Sequence, residues 1–422
     1  MLGGMLLLIV SSECGRTSVS SEGTTVERSN PKQGLQKGSG MDINPQYITW
    51  RRDLHQIPEL AFEEFETADY LERELLRLGL SPVRLGKTGL MADIAGRASG
   101  PTVALRADMD GLPLVEDSGE PFSSRHEGVM HACGHDMHMT ILLGAIEGLL
   151  ARRDFPGQVR IMFQPSEERP PGGAPDLIAR GVLEGVDVVL GLHVWSGFPV
   201  GTVGIRPGTM MANSDRFRIR IHGRGGHGSE PDTAKDAVLI ASQIVVNLQT
   251  IVSRRVSPME AAVVTAGTIR GGVTFNIIAE DAEVTGTVRT LNHGTQALVE
   301  EEIRVVAENT ARMHGATAEL EYMYGYPAVI NHGPVVDAWR AAVGRDAHFI
   351  EPSPSMGGED FAYYLKERPG AFAFLGAAPD TEVFPHHSPH FRVSEEALPI
   401  GVMLLERGAR HFLQHPEQAT AR

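Results

Sequence analysis

The sequence predicts an α/β protein: a mixed sheet wrapped by helices and interrupted by a smaller ferredoxin-like unit of the β-α-β-β-α-β type. Three observations carry this. Through the first half of the chain short apolar strands alternate with helices, the pattern of a parallel or mixed sheet covered on its faces. From about residue 214 half-buried strands separated by two long helices take over, and after residue 326 the first rhythm returns. At 422 residues the chain also exceeds one core, since cores stop growing at roughly 250–300 residues. The expected divisions are a disordered or signal-like lead at 1–40, an α/β part at 41–212, the insert at 213–325 and a second α/β part at 326–422.

Each element has its own signal. Asn44 before Pro45 opens the first helix, with an N-cap followed by a proline where no N–H is needed. "ETADYLERELLRLG" keeps helical spacing and stops at Gly79. "TVALRAD" (102–108) is a short, mostly apolar strand, and "HMTILLGAIEGLLARR" is an apolar helix with basic residues in its last turn. "QVRIMFQP" (158–165) is a strand running into Ser166-Glu167-Glu168, and "VDVVLGLHV" (186–194) is a strand with His193 near its end. In the insert, "DRFRIRIHG" alternates apolar and polar residues, as a half-buried strand does. "DTAKDAVLIASQIVVNLQTIVSRR" and "TQALVEEEIRVVAENTARMHG" are its long helices; "AAVVTAGTI", "AEVTGTVRT" and "ATAELEYMY" are its other strands. "AFAFLGA" (371–377) and "LPIGVMLLERGARHFL" restore the α/β rhythm.

The formal net charge of -15 argues against nucleic acid as a partner. With Cys14 in the lead and Cys133 the other cysteine, no structural disulfide is expected. "MLGGMLLLIVSSEC" is too short to span a membrane and has no basic residue before its apolar run. The expectation is a cytoplasmic protein with no membrane partner; export through the N-terminal apolar run is the alternative.

Residues 131–139, "HACGHDMHM", crowd histidines, a cysteine and an aspartate together. Open α/β sheets bind ligands beyond the carboxyl ends of their strands. By that rule Asp108, Asp110, Glu167, Glu168 and His193 reach one edge. "HACGHD" is expected in the loop before a helix, where Cys133 and His135 face the same edge. The Pro-bounded "FPHHSPHF" offers His386, His387 and His390. Singly, each has a plain explanation: a core histidine, a solvated Glu-Glu turn, a polar strand end, a surface loop. Together, thiolate, imidazole and carboxylate on one edge are the ligand set of zinc and related divalent metals.

Nine segments carry a family resemblance: "LHQIPELAFEEFET", "ALRADMDGLP", "MHACGHDMHMTILLGA", "VRIMFQPSEE", "GLHV", "GRGGHGSEP", "FNIIAEDAEVTGTVRT", "GGEDFAYY" and "HHSPHF". With these in this order, from about residue 47 to 410, the chain resembles the amidohydrolase branch of the metal-dependent aminoacylase and carboxypeptidase family. That branch includes hippurate hydrolases, indoleacetyl-amino-acid hydrolases and N-acyl-amino-acid amidohydrolases. The resemblance implies one or two divalent ions (zinc, manganese, cobalt or nickel) held by Cys133, His135, Glu168, His193 and His387. It implies Glu167 as general base and Asp110 as the residue that orients a ligand histidine. It implies that His227 supports the developing oxyanion, often from the partner subunit, and that Asn276 and Arg289 meet the substrate's carboxylate end. The insert would be a lid and the dimerisation domain of a homodimer, and its free sheet face and edges suit that role. Two positions depart from the family: Ala279 stands for proline and Ser166 for alanine. His387 is preferred over His386 because it directly precedes Ser388-Pro389.

The expected reaction is hydrolysis of an N-acyl-L-amino acid to a carboxylic acid and a free amino acid, with a dipeptidase or carboxypeptidase as the alternative. A metal-free amidase with Cys133 as nucleophile would leave Glu167, Glu168, His193 and His387 without roles. A non-enzymatic binding protein would have no use for Glu167. Pro207-Gly208 and Gly325-Tyr326-Pro327 are the expected hinges of lid closure.

Overall fold

The computed structural model describes residues 42–420; the lead at 1–40, with Cys14, lies outside the described residues. Helix α1 (Pro45–His55) starts as expected, with the Asn44 side chain accepting the Gln46 N–H. Helix α2 (Phe65–Arg77) buries Thr67, Ala68, Leu71 and Leu75 and ends short of Gly79, whose φ of +81° turns the chain. Strands β1 (Val83–Leu85) and β2 (Gly89–Ala95) form a hairpin that the sequence reading did not name. Then come β3 (Ala98–Asp108), α3 (His135–Ala151), β4 (Pro156–Gln164), α4 (Ala174–Ala179), β5 (Val188–Trp195), β6 (Thr202–Gly204) and β7 (Gly208–Met211). Helix α3 lacks an amphipathic pattern because it is buried along most of its length. It begins at His135 rather than His138 and ends at Ala151, so Arg152 and Arg153 lie past its last turn.

The insert follows as β8 (Asn213–His222), β9 (Gly226–His227), α5 (Ala237–Thr250), β10 (Ala262–Gly271), β11 (Ile277–Ile278), β12 (Asp281–Thr290), α6 (His293–Met313) and β13 (Thr317–Tyr326). Its antiparallel sheet has the order β10-β12-β8-β13, the ferredoxin-like arrangement. Phe217, Ile219 and Ile221 of β8 pack against Ile240, Ile244, Val299 and Ile303 of the two helices, which leaves the other face polar. Helix α5 starts at Ala237, later than expected, because the Asp236 carboxylate accepts the Val238 and Leu239 N–H groups and caps it there.

The chain returns through β14 (Val329–Asn331), α7 (Gly333–Val343), β15 (His348–Ile350), α8 (Ala362–Glu367), β16 (Gly370–Gly376), α9 (Leu398–Gln414) and α10 (Glu417–Thr420). The large sheet has eight strands in the order β1-β2-β4-β3-β5-β16-β6-β15. β4, β3, β5 and β16 run parallel, whereas β2 is antiparallel to β4 and β6 to β16, so the sheet is mixed as expected. Alternate residues feed two cores. Leu105, Ile161 and Leu190 meet Ile141 and Leu405 on one side; Ala104, Met162 and Val189 meet Phe361 and Phe372 on the other. The parallel run brings the carboxyl ends of β3, β4 and β5 to one edge, with Asp108 paired to Gln164. β7 and β14 form a two-stranded neck between the large sheet and the insert.

Candidate active site

Asp110, just past β3, organises the edge. Its Oδ1 accepts the Glu167 N–H at 2.9 Å and its Oδ2 the Glu168 N–H at 3.0 Å. Its backbone carbonyl accepts Nδ1–H of His135 at 2.8 Å. The Asp110 carboxylate stands 3.5 Å from the same ring nitrogen, so the backbone carbonyl makes the close contact. One residue thus fixes both the turn after β4 and the first ring of α3.

Local backbone geometry aims the donors. Gly134 has φ +91°, and a Cβ there would lie 2.3 Å from the Val194 side chain, so glycine is needed where Cys133 and His135 flank the turn. His135 is the first residue of α3 rather than part of the loop before it. Ser166 (φ +56°) and His387 (φ +65°) sit in the left-handed region, which residues with side chains adopt uncommonly. After Ser166 the chain bends, so Glu167 and Glu168 lie in a turn and not in a continued strand. Glu167 joins Glu359 and Asp360, Glu168 joins Cys133 and His387, and the two carboxylates also come together beside His135.

His193 donates Nδ1–H to the Val194 carbonyl at 2.6 Å, which leaves Nε2 facing the Cys133 Sγ at 3.3 Å. His387 Nε2 stands 3.2 Å from Glu168 Oε1. His386 also lines the cavity, but its Nε2 is taken by the Val194 carbonyl at 3.0 Å, and His390 donates to the Asp117 carbonyl at 2.7 Å. Of the three histidines in that loop, His387 is the one that joins the cluster.

The residues fit a metal centre. The donor atoms of Cys133, His135 and His193 lie within 4.8 Å of one another, as do those of Cys133, Glu168 and His387. His135 Nε2 is buried without a hydrogen-bond partner, and Glu168 Oε1 makes no hydrogen bond although His387 Nε2 lies 3.2 Å from it; unsatisfied buried groups cost free energy, which a bound cation would offset. Burial pulls the His135 pKa down, yet Asp108, Asp110 and Glu168 hold it up at about 10, so the pocket attracts positive charge. Burial and the nearby Glu168, Glu167 and Asp108 push the Cys133 thiol up. A nucleophilic cysteine needs electropositive surroundings, and these are the opposite.

Several residues that surround the cluster were given no site role by the sequence. Arg106, fully buried in β3, reaches Asp108 at 2.7 Å, Asp360 at 2.8 Å, Glu359 at 3.0 Å and the Gln164 side-chain Oε1 at 2.9 Å. Burial raises Glu359 to about 8 and Asp360 to about 6, and it raises Glu167 as well, with Glu359 adding to the effect. His138 donates Nδ1–H to Asp108 at 2.6 Å and accepts the Val194 N–H on Nε2 at 2.9 Å, so neither nitrogen is available to a metal. The Tyr326 hydroxyl donates to the Glu167 carbonyl at 2.5 Å. A charged residue inside an apolar strand ("ALRAD") and the "GGED" turn were the available signals.

A cavity of about 430 Å³ is lined by Cys133, Glu167, Glu168, His193 and His387 from the large sheet and by Ser214, Arg216 and Arg289 from the insert. Arg289 is half-buried, and desolvation draws its pKa down. His227 and Asn276 do not line this cavity. They lie together on the insert, where β9 pairs with β11 and the Gly228 N–H meets the Asn276 carbonyl at 2.9 Å. Both border a separate groove of about 1180 Å³. His227 is exposed, and its Nδ1 accepts the Ser229 N–H at 3.2 Å, which leaves Nε2–H outward.

Fold and site together define a metal-dependent hydrolase of amide bonds, with divalent metal ions as its cofactor. The chain belongs to peptidase family M20/M25/M40, whose family model matches residues 104–411. It is 41% identical over 381 residues to the N-acetyl-L-cysteine deacetylase of Bacillus subtilis strain 168, covering 89% of this chain and 90% of that protein. It is 37% identical over 375 residues to thermostable carboxypeptidase 2 of Saccharolobus solfataricus, covering 87% and 95%. Among solved structures, the Bacillus subtilis YXEP protein, described as a dinuclear metal-binding peptidase of the M20 family, superposes with a TM-score of 0.78. That match is 37% identical and covers 87% of this chain and 98% of the other.

Proposed function

We propose that the protein hydrolyses N-acyl-L-amino acids, releasing a carboxylic acid and a free amino acid. The observation that carries this reading is a single cavity lined by Glu167, by four of the five candidate metal donors (Cys133, Glu168, His193 and His387, with His135 grouped behind Cys133 and His193) and, from the insert, by Arg289. Cys133, His135, Glu168, His193 and His387 would hold one or two ions, with zinc and manganese the metals favoured by this mixed soft and hard donor set. Bound there, the metal supplies Lewis acidity that polarises the amide carbonyl and acidifies water. Glu167 takes a proton from the attacking water and delivers it to the departing amine. Its burial, which raises the carboxyl's affinity for a proton, suits a group that must both accept and return one. Asp110 holds the Glu167-Glu168 turn. Arg289 receives the substrate carboxylate by a charged hydrogen bond.

The unit at 213–325 acts in this reading as lid and dimerisation domain, between catalytic halves at 41–212 and 326–422. His227 and Asn276, lying away from their own chain's cavity, would serve the partner's. The homodimer is supported by Val238, Leu239, Val246 and Val252 exposed on and just beyond α5, and by the fully exposed Phe275. The helical stretch Ala237–Arg255 is long and apolar enough to cross a membrane, but its inner stripe packs on the insert's sheet, so an interface between copies is the favoured use of its outer face. A thiolate ligand also suits a reducing, cytoplasmic setting.

The deciding experiment is a panel of N-acetyl-, benzoyl- and indoleacetyl-amino acids and dipeptides, each assayed after chelation and reloading with zinc, manganese, cobalt or nickel. Turnover of the acylated acids with sharply lower rates on their carboxamides supports the reading. Faster turnover of dipeptides would favour the carboxypeptidase alternative. Equal rates on acid and amide would remove Arg289 from the site. No turnover with any metal overturns the reading.

A further inference from the structure

The polar face of the insert's sheet carries three arginines on β8, at every second position: Arg216, Arg218 and Arg220. Two of them have carboxylate partners. Arg218 lies 3.4 Å from Glu283 and 3.2 Å from Glu321, and Arg220 lies 3.2 Å from Glu321. Arg216 is different. Its neighbours in register are Thr287 on β12 and Met323 on β13, so no anion stands directly opposite it, and the diagonal Glu321 is engaged by Arg218 and Arg220. Among the described residues it makes no ion pair, and its side chain lines the reaction cavity beside Arg289. Arg289 stands opposite Ser214, one diagonal step from Arg216; such neighbours have Cα atoms about 7–8 Å apart. The facing wall is acidic, with Glu167, Glu168 and Glu359. Two guanidinium groups therefore stand at one end of the cavity of a protein with net charge -15, and a single α-carboxylate neutralises only one of them.

We propose that Arg216 is a specificity-determining residue which, with Arg289, selects N-acyl derivatives of dicarboxylic amino acids. Arg289 takes the α-carboxylate and Arg216 the side-chain carboxylate. This rests on the reaction proposed above. Both anions belong to the amino-acid half of the substrate, because the two guanidiniums rise from adjacent strands of one sheet and not from opposite ends of the cavity. A guanidinium pairs with a carboxylate through two parallel hydrogen bonds, which a neutral side-chain amide reproduces poorly.

The test compares N-acetyl-L-glutamate with the near-isosteric N-acetyl-L-glutamine on metal-loaded protein. A charged hydrogen bond of this kind corresponds to a preference of roughly 10- to 150-fold in kcat/KM. Wild type should show that preference for glutamate, expressed mainly in KM. Arg216→Gln should collapse it to about threefold or less, while Arg216→Lys, which keeps the charge, retains part of it. Titration calorimetry of both compounds into metal-loaded Glu167→Gln, with and without Arg216→Gln, reads the same preference without turnover. No glutamate preference in wild type, or one that Arg216→Gln leaves intact, overturns the proposal. If the two substrates are hydrolysed equally, the reaction stands and the dicarboxylate site falls. If neither is hydrolysed but Glu167→Gln binds glutamate selectively through Arg216, the site stands and the proposed reaction falls.

Discussion

Replacing Asp110 by asparagine tests how the active edge is held together. The aspartate carboxylate accepts two consecutive backbone N–H groups, from Glu167 at 2.9 Å and Glu168 at 3.0 Å. An asparagine side chain is nearly the same shape but has one acceptor oxygen; its NH2 would face the second N–H, donor against donor. At least one charge-assisted bond is lost, worth about 1.5–3 kcal/mol. If all of that loss is felt in the transition state, at about 1.4 kcal/mol per tenfold, kcat falls roughly 10- to 150-fold. The Glu168 arm of the same turn should show as weaker metal binding, by about 10- to 100-fold for a residue that supports a ligand. Asp110→Ala removes both acceptors and should cost about twice the free energy, or roughly the square of the fold-change. The assays are kcat at saturating metal, metal affinity by competition with a chromophoric chelator, and circular dichroism to confirm the fold. A folded Asp110→Asn protein with kcat and metal affinity near wild type would show that the bridge does not position Glu167 and Glu168.

Two further outcomes follow from the geometry. Glu167→Gln should keep its metal and lose turnover by about a hundred- to ten-thousand-fold, whereas Glu168→Ala should lose metal and regain part of its activity at high metal concentration; elemental analysis beside the rate decides, and the reverse pattern would exchange the two roles. His55 is buried, which opposes its charged form, but Asp136 and Glu116 at 2.8 and 3.1 Å raise its pKa. The folded state thus grips a proton that the unfolded chain releases near ~6.5. The pairing is fully present below that pH and fades as pH rises through the folded value. His55→Gln should therefore lower the urea midpoint more at pH 6 than at pH 9, and an equal or larger loss at pH 9 would contradict the assignment.

Much of the fold was legible because local patterns report local geometry. The alternation in "DRFRIRIHG" and the spacing of the insert's two helices gave the ferredoxin-like unit, and the strand ends gave the edge to which Asp108, Glu167 and His193 come. What failed depended on distance along the chain. Glu359 and Asp360 meet Glu167 across nearly two hundred residues, and nothing in "GGEDF" says which strand end it will face. Arg106 was read as part of an apolar strand because its partners come from β4 and from the segment before α8. His138 shares a helix turn with His135, yet its two nitrogens are taken by Asp108 and Val194, which no spacing rule reveals. The positive φ of Ser166 likewise ends the strand's alternation before Glu167 and Glu168 and replaces it with a bend, which nothing in "QPSEE" signals.

The neck has an architectural consequence. Met211 on the way out pairs with Val329 on the way back, and Gly208 with Asn331. The Asn213 side chain ties the two crossings, accepting the Ala328 N–H at 2.8 Å and donating to the Thr290 carbonyl at 3.1 Å. Departure and re-entry are therefore neighbours, one strand spacing of about 4.8 Å apart. Spliced in at such a point, a passenger of any length leaves the host sheet's own connections undisturbed, and ends already held together make closing the loop entropically cheap. Joining residue 212 to residue 328 through a short turn would, by the same geometry, give a shorter chain in which the host sheet could still close, with its metal donors intact but without Ser214, Arg216 and Arg289 over the cavity.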